Sequence, residues 1–198
     1  MKTLEDKAFE LAIVDPPYGI GNWIPQGGKQ KGKNAEKLKV DWNESPPNES
    51  YFNEMQRVSK NQIIWGANYY NCFGNQGGAI VWYKGKGNTK FSACEIASHS
   101  FYKKIDYVHI NWQSGFYREK FGAQVHPCQK PVKLYDWLLA NYAKEGDKIL
   151  DTHLGSGSSA IAAHYGGYDF VGCELDKDYY EAAQARFNEE TKQKELCL

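Results

Sequence analysis

Short apolar runs alternate along this chain with segments whose apolar residues recur at helical spacing. Phe9-Glu10-Leu11-Ala12-Ile13-Val14 predicts a buried strand. Further strands are expected at Asn61–Gly66, Ala79–Tyr83, Glu95–Phe101, Lys148–Asp151 and Tyr168–Glu174. Ser45-Pro46-Pro47-Asn48 opens a helix in which Tyr51, Phe52, Met55 and Val58 form one apolar face. Pro131 suits the first turn of a second helix carrying Leu134, Trp137, Leu138 and Tyr142. A third helix spans Ala160–Tyr165 and is capped by Gly166-Gly167. Asp176 N-caps a last helix, with Tyr179, Tyr180, Ala183 and Phe187 on one face. Met1–Lys7 reads as the end of a helix, Thr191–Leu198 as a frayed tail, and Tyr102–Val125 as irregular.

A strand, a helix and a strand in succession make the βαβ unit of a parallel sheet. The expected class is therefore α/β, with a mostly parallel sheet. Ala79–Tyr83 and Glu95–Phe101 form an antiparallel hairpin at its edge. No internal repeat or interdomain linker interrupts the 198 residues, which predicts a single domain.

Composition narrows the classes. Acidic and basic residues balance at 24 each, so a basic surface for nucleic acid has to be local. The five cysteines include no C-x-x-C pair, which suggests neither a disulfide framework nor a metal site and fits a reducing cytoplasm. No signal peptide or membrane-length apolar run is read, so no membrane partner is expected. Aromatics reach 15%, a surplus that base stacking would use.

The first strand ends in Asp15-Pro16-Pro17-Tyr18. Two prolines cannot continue a ladder, so the chain leaves the sheet in a stiff turn. Open α/β sheets bind ligands at that carboxyl end. A carboxylate, two free backbone carbonyls and an aromatic face suit a planar group bearing an NH₂, such as a nucleobase. The tetrapeptide alone also fits a Pro-Pro turn with a surface tyrosine. The Gly19–Pro47 loop that follows holds five lysines between Lys29 and Lys39, placed to meet phosphates or simply to be solvated. In Tyr102–Val125, rings interleave with Lys103, Lys104, Arg118 and Lys120, which fits either a nucleic-acid surface or a small packed subdomain.

Near the other end, Asp151 precedes a Gly155-Ser156-Gly157 loop and a helix, and Glu174 closes the next strand. This is a nucleoside-binding unit, with Glu174 placed to take ribose hydroxyls. The third glycine of the dinucleotide fingerprint is missing, since Ser159-Ala160-Ile161 runs straight into the helix. Asp151 would repel a diphosphate and welcome a cation. S-adenosyl-L-methionine carries an ammonium and a sulfonium.

Together, Asp15-Pro16-Pro17-Tyr18, His126-Pro127-Cys128-Gln129-Lys130-Pro131 and the Asp151–Ser158 loop resemble the amino-group DNA methyltransferases. The catalytic tetrapeptide comes first and the cofactor loop last, as in the permuted β group of bacteria and phages. The resemblance runs from about Phe9 to Phe187. It implies a Rossmann-like S-adenosylmethionine-dependent methyltransferase fold with circularly permuted motif order. It divides the domain into a catalytic half (about 1–101), a small recognition insert (102–125) and a cofactor half (about 126–190).

The resemblance also implies roles. Asp15 and the Pro16 carbonyl accept hydrogen bonds from the target amino group, within a turn set by Pro17, and Tyr18 stacks on a flipped base. Asp151, His153, Gly155, Ser156 and Gly157 belong with the methionine end of the cofactor, Glu174 with its ribose, and Lys130 with the further cofactor segment. Asp at the first tetrapeptide position is commoner in N6-adenine enzymes than in N4-cytosine ones.

The chain departs from the family in three ways. Only fourteen residues precede Asp15, Thr152-His153 replaces the usual Pro-Phe, and no large recognition domain is present. Short or loose site specificity is expected, with duplex DNA as partner and a homodimer as one way to cover it. The alternatives are N4-cytosine methylation, methylation of RNA or a protein amide, and a non-catalytic nucleic-acid-binding module. A nicotinamide dehydrogenase is the weakest reading.

Overall fold

The computed structural model describes residues 1–21, 45–70, 77–85, 92–112 and 125–195. The strands are β1 (Phe9–Val14), β2 (Ser59–Trp65), β3 (Gly78–Tyr83), β4 (Cys94–His99), β5 (Ile105–His109), β6 (Lys148–Asp151) and β7 (Asp169–Gly172). The helices are α1 (Glu49–Val58), α2 (Val132–Tyr142), α3 (Ser158–Gly166) and α4 (Lys177–Glu195). One sheet holds all seven strands in the order β5-β3-β4-β2-β1-β6-β7. Only β4 runs against its neighbours. The expected hairpin of β3 and β4 is present. Its reversed strand lies between β3 and β2, and β5 pairs parallel on the outer side of β3, so the hairpin is not the edge of the sheet.

β1 is central. Leu11 and Ile13 enter the core beneath α2 and α3, while Ala12 and Val14 enter the core beneath α1. Period-two alternation with both faces covered is why the strand reads as a continuous apolar run. β1 pairs parallel with β2 on one side and with β6 on the other, Leu11 opposite Ile149. The carboxyl ends of β1 and β6 therefore stand side by side, about 5 Å apart.

Three local expectations change. Met1–Lys7 forms turns instead of a helix end. The Arg57 guanidinium takes the Leu4 and Met1 carbonyls and pairs with Asp6, giving that backbone another set of partners. β5 falls in the stretch expected to be irregular. Its apolar Ile105 and Tyr107 are 67% and 61% exposed, and only Val108 is buried, so it carries little strand signal. α4 continues past Thr191 to Glu195, and the Tyr165 hydroxyl donates to the Glu190 carbonyl on its last turns.

The lysine-rich part of the Gly19–Pro47 loop (22–44) and Phe116, Tyr117, Arg118, Lys120 and Phe121 lie outside the described residues. Among the described residues no helix is long and apolar enough to cross a membrane, and no side-chain cluster could hold a metal ion.

Candidate active site

β1 hands the chain to Asp15-Pro16-Pro17-Tyr18 at the carboxyl edge of the sheet. The Tyr18 hydroxyl donates to Asp15 Oδ1 at 2.6 Å. The Lys130 ammonium contacts the other carboxylate oxygen, Asp15 Oδ2. Both oxygens of the acid are thus engaged from opposite halves of the chain. The Tyr18 ring stacks on Tyr69 with centroids 4.7 Å apart. Gly66, at φ +79°, lies against the ring, and a Cβ there would sit 2.3 Å from it. The turn after β2 is shaped to seat Tyr18.

The two proline carbonyls, expected to be free, are not. The buried Tyr70 hydroxyl donates to the Pro16 carbonyl at 2.5 Å and reaches the Pro17 carbonyl at 3.3 Å. Buried acceptors find partners, and the turn after β2 supplies this one. A carbonyl has two lone pairs, so Pro16 can still accept a second bond.

Lys130, expected among the cofactor residues, divides its groups between the two halves. Its ammonium faces Asp15 and Glu95, while its carbonyl accepts from Ser158 Oγ at 2.7 Å at the start of α3. Burial alone would lower its pKa, but Asp15 and Glu95 outweigh this and raise it, so Lys130 is a permanent cation.

On the neighbouring strand, Asp151 is buried with both oxygens occupied. The His153 N–H donates to one at 2.9 Å and the Ser159 hydroxyl to the other at 2.6 Å. Burial pushes its carboxyl up to about 6 against those hydrogen bonds. His153 is held below the usual histidine range by burial. Its ring meets Tyr51 edge-on, and the Tyr51 hydroxyl lies 2.6 Å from Thr152 Oγ1, linking α1 to this loop.

Gly155 and Gly157 both have positive φ, which only glycine adopts without strain, so the loop turns tightly and bares its backbone. Glu174, two residues past β7, accepts from the Gly155 N–H at 2.9 Å and the Asp176 N–H at 3.1 Å. Its remaining lone pairs can take two hydroxyls. The buried Ser156 carbonyl and the Ser158 hydroxyl accept from Arg186 of α4, at 3.1 Å and 2.8 Å. The His126 ring lies just beyond Gly155, at 3.6 Å from where a Cβ would be. This set of an acid pair, bare backbone and small hydroxyls fits a cationic nucleoside.

Residues 58–185 match the family model of N6/N4 DNA methylases. The chain belongs to this family. The Type II methyltransferase M2.DpnII of Streptococcus pneumoniae is 37% identical over 67 residues, 34% of this chain but only 25% of that protein. The candidate methylase YubD of Escherichia coli (strain K12) is 25% identical over 94% of this chain and 85% of its own length. The fold is shared with M1.HpyAVI, solved as a complex with S-adenosylmethionine, at TM-score 0.57 and 19% identity over 94% of this chain and 91% of that one. It is also shared with the cytosine-N4-specific PvuII DNA methyltransferase, at TM-score 0.61 and 11% identity over 96% and 86%.

Tyr69, Tyr70, Gly66 and Glu95 were not singled out by sequence reasoning as members of this DNA methylase's site. The available signal was positional. Gly66-Ala67-Asn68-Tyr69-Tyr70 follows the strand next to β1, on the same ligand-facing edge.

Proposed function

We propose that this chain is a DNA methyltransferase that moves a methyl group from S-adenosylmethionine to the exocyclic N6 of adenine, in a base flipped out of duplex DNA. The observation that carries this reading is the adjacency of β1 and β6. It sets the Asp15–Tyr18 turn beside the Asp151–Gly157 loop at one sheet edge. The family membership supplies the reaction class.

When bound, the cofactor supplies an electrophilic methyl on its sulfonium. Asp151, Gly155, Gly157 and Glu174 would hold it, with His153 and Ser156 shaping the loop. The amino lone pair of adenine is delocalised into the ring. Asp15 and the Pro16 carbonyl accept its hydrogens and favour a pyramidal nitrogen, aimed in line at the methyl carbon. Methyl transfer would release the cofactor as its neutral thioether and leave the amino nitrogen with one proton to lose. Asp15, placed to hold that group, would be the base that takes it. Stabilisation comes from position and from negative charge facing a nitrogen that turns positive. Flipping the base costs about a few kcal/mol, and stacking on an aromatic such as Tyr18 offsets part of it.

Adenine is favoured over cytosine by Asp15 at the head of the tetrapeptide. N4-cytosine methylation is the second reading, favoured by the likeness to the PvuII enzyme. Duplex DNA is incubated with the protein and S-adenosylmethionine bearing a heavy methyl, then digested and analysed by mass spectrometry. Heavy N6-methyladenine is expected. Heavy N4-methylcytosine would overturn the base assignment, and no heavy nucleoside would overturn the reading.

A further inference from the structure

We propose that Glu95 is a positioning residue of the methyl-transfer site, its carboxylate holding the Lys130 ammonium while Lys130 holds the Asp15 carboxylate. The inference rests on the methyl-transfer reading and assigns a residue that acts through Lys130.

Glu95 is the second residue of β4, the one reversed strand. A reversed strand begins where its parallel neighbours end, so Glu95 stands at the ligand-facing edge, opposite Trp82 near the end of β3. Its Oε1 accepts from Lys84 Nζ at 2.9 Å. Its Oε2 lies 3.1 Å from Lys130 Nζ. That second contact is within ion-pair range but makes no well-directed hydrogen bond, so Glu95 steers Lys130 mainly by charge.

The result is a row of alternating charge: Lys84, Glu95, Lys130, Asp15. All four side chains are largely buried, Lys130 most of all at 6% exposed. Two rings complete the setting, with Lys130 Nζ 5.6 Å from the centre of Trp65 and 5.9 Å from that of Tyr18. An ammonium has three protons to direct. One is directed to Asp15, and Tyr18 Oη lies 3.4 Å away. A second anion, Glu95, holds the same ammonium, so Asp15 presents a set edge to the incoming amino group. Burial works against the Glu95 carboxylate too, but Lys130 and Lys84 still hold it below the usual carboxylate range. The Glu95–Lys130 pair is therefore ionised.

Glu95→Gln keeps the size and one acceptor oxygen and removes the charge. The single-turnover methylation rate on DNA is expected to fall about tenfold, with the S-adenosylmethionine Kd unchanged within about twofold. Glu95→Asp restores part of the rate. In a Lys130→Met background the Glu95→Gln change has little further effect, because both act through one contact. The ¹⁵N signal of the Lys130 ammonium, assigned by its loss in Lys130→Met, shifts in Glu95→Gln. A wild-type rate in Glu95→Gln, a Kd that weakens in step with the rate, or losses that multiply independently with Lys130→Met would each overturn the proposal. Wild-type protein that methylates no DNA would instead remove the methyl-transfer reading on which it rests.

Discussion

The Tyr18 hydroxyl is bonded to Asp15 Oδ1 at 2.6 Å, so the ring proposed to stack on a base is tied to the acid proposed to hold the amino group. Burial raises the Tyr18 phenol well above its ordinary value, so it donates as a neutral hydroxyl. Tyr18→Phe keeps the ring on Tyr69 and releases one acceptor oxygen of Asp15. Its turnover should stay within about fivefold of wild type, the scale of one hydrogen bond. Tyr18→Ala loses a stacking surface worth about 1–3 kcal/mol per base, so the KM for DNA should rise about tenfold. Steady-state methyl incorporation on the two variants separates ring from hydroxyl.

Asp15→Ala should bind S-adenosylmethionine as wild type does, because the hydrogen bonds that fix Asp151 and Gly155 run to His153, Ser159 and Glu174. Turnover should fall by about two orders of magnitude, the usual cost of removing a group that stabilises developing charge. Calorimetry with the cofactor alone and a labelled-methyl assay test the two halves separately. Unchanged turnover would remove the mechanism.

Gly66→Ala would place a Cβ 2.3 Å from the Tyr18 ring at a φ of +79°. The ring cannot move freely, because Tyr69 covers one face and Asp15 holds the hydroxyl. Urea unfolding should show a loss of about 1–3 kcal/mol. Activity should fall by more than global unfolding explains.

The pH dependence follows from Asp151. Burial pushes its carboxyl up to about 6, above its unfolded value of 3.8. The protonated acid therefore favours the fold. Its contribution is full below about pH 4 and is lost as the pH rises through 6, for a total of about 3 kcal/mol. Urea midpoints of wild type and Asp151→Asn, compared between pH 4 and 7.5, should diverge across that window. Cofactor affinity should run the other way in wild type. It should strengthen as pH rises through about 6 and the acid ionises beside a cationic ligand.

Arg186 joins α4 to the loop before α3. It donates to the Ser156 carbonyl and the Ser158 hydroxyl and pairs with Glu190 at 2.7 Å, both partners of the pair being buried. Arg186→Ala would leave Glu190 buried and uncompensated, at a cost of about 3–5 kcal/mol. Replacing both by apolar residues of similar volume should cost less. Denaturation of the single and double variants gives the comparison, and the double variant should still bind the cofactor more weakly.

The turn between β6 and α3 was legible because its signals are local. The glycines of Gly155-Ser156-Gly157 serve a backbone that needs positive φ, and that need is written at the position itself. The α1 face of Phe52, Met55 and Val58 follows from helical period alone, and all three are buried. β5 was illegible for the opposite reason. Its apolar residues face solvent, and only its pairing with β3 makes it a strand.

What the sequence alone determined was where the chain must turn, which strongly patterned segments must be strands or helices, and that an acid stands at the end of the first strand. Two successive prolines, a glycine loop and apolar periodicity constrain the backbone residue by residue, without reference to the rest of the chain. Only the tertiary structure decided that Lys130, 115 positions away, faces Asp15 and that Glu95 faces Lys130. Those contacts depend on β4 being threaded backwards between β3 and β2 and on β6 pairing with β1. Charged side chains carry no period and no backbone restriction, so their partners are chosen by strand order and burial.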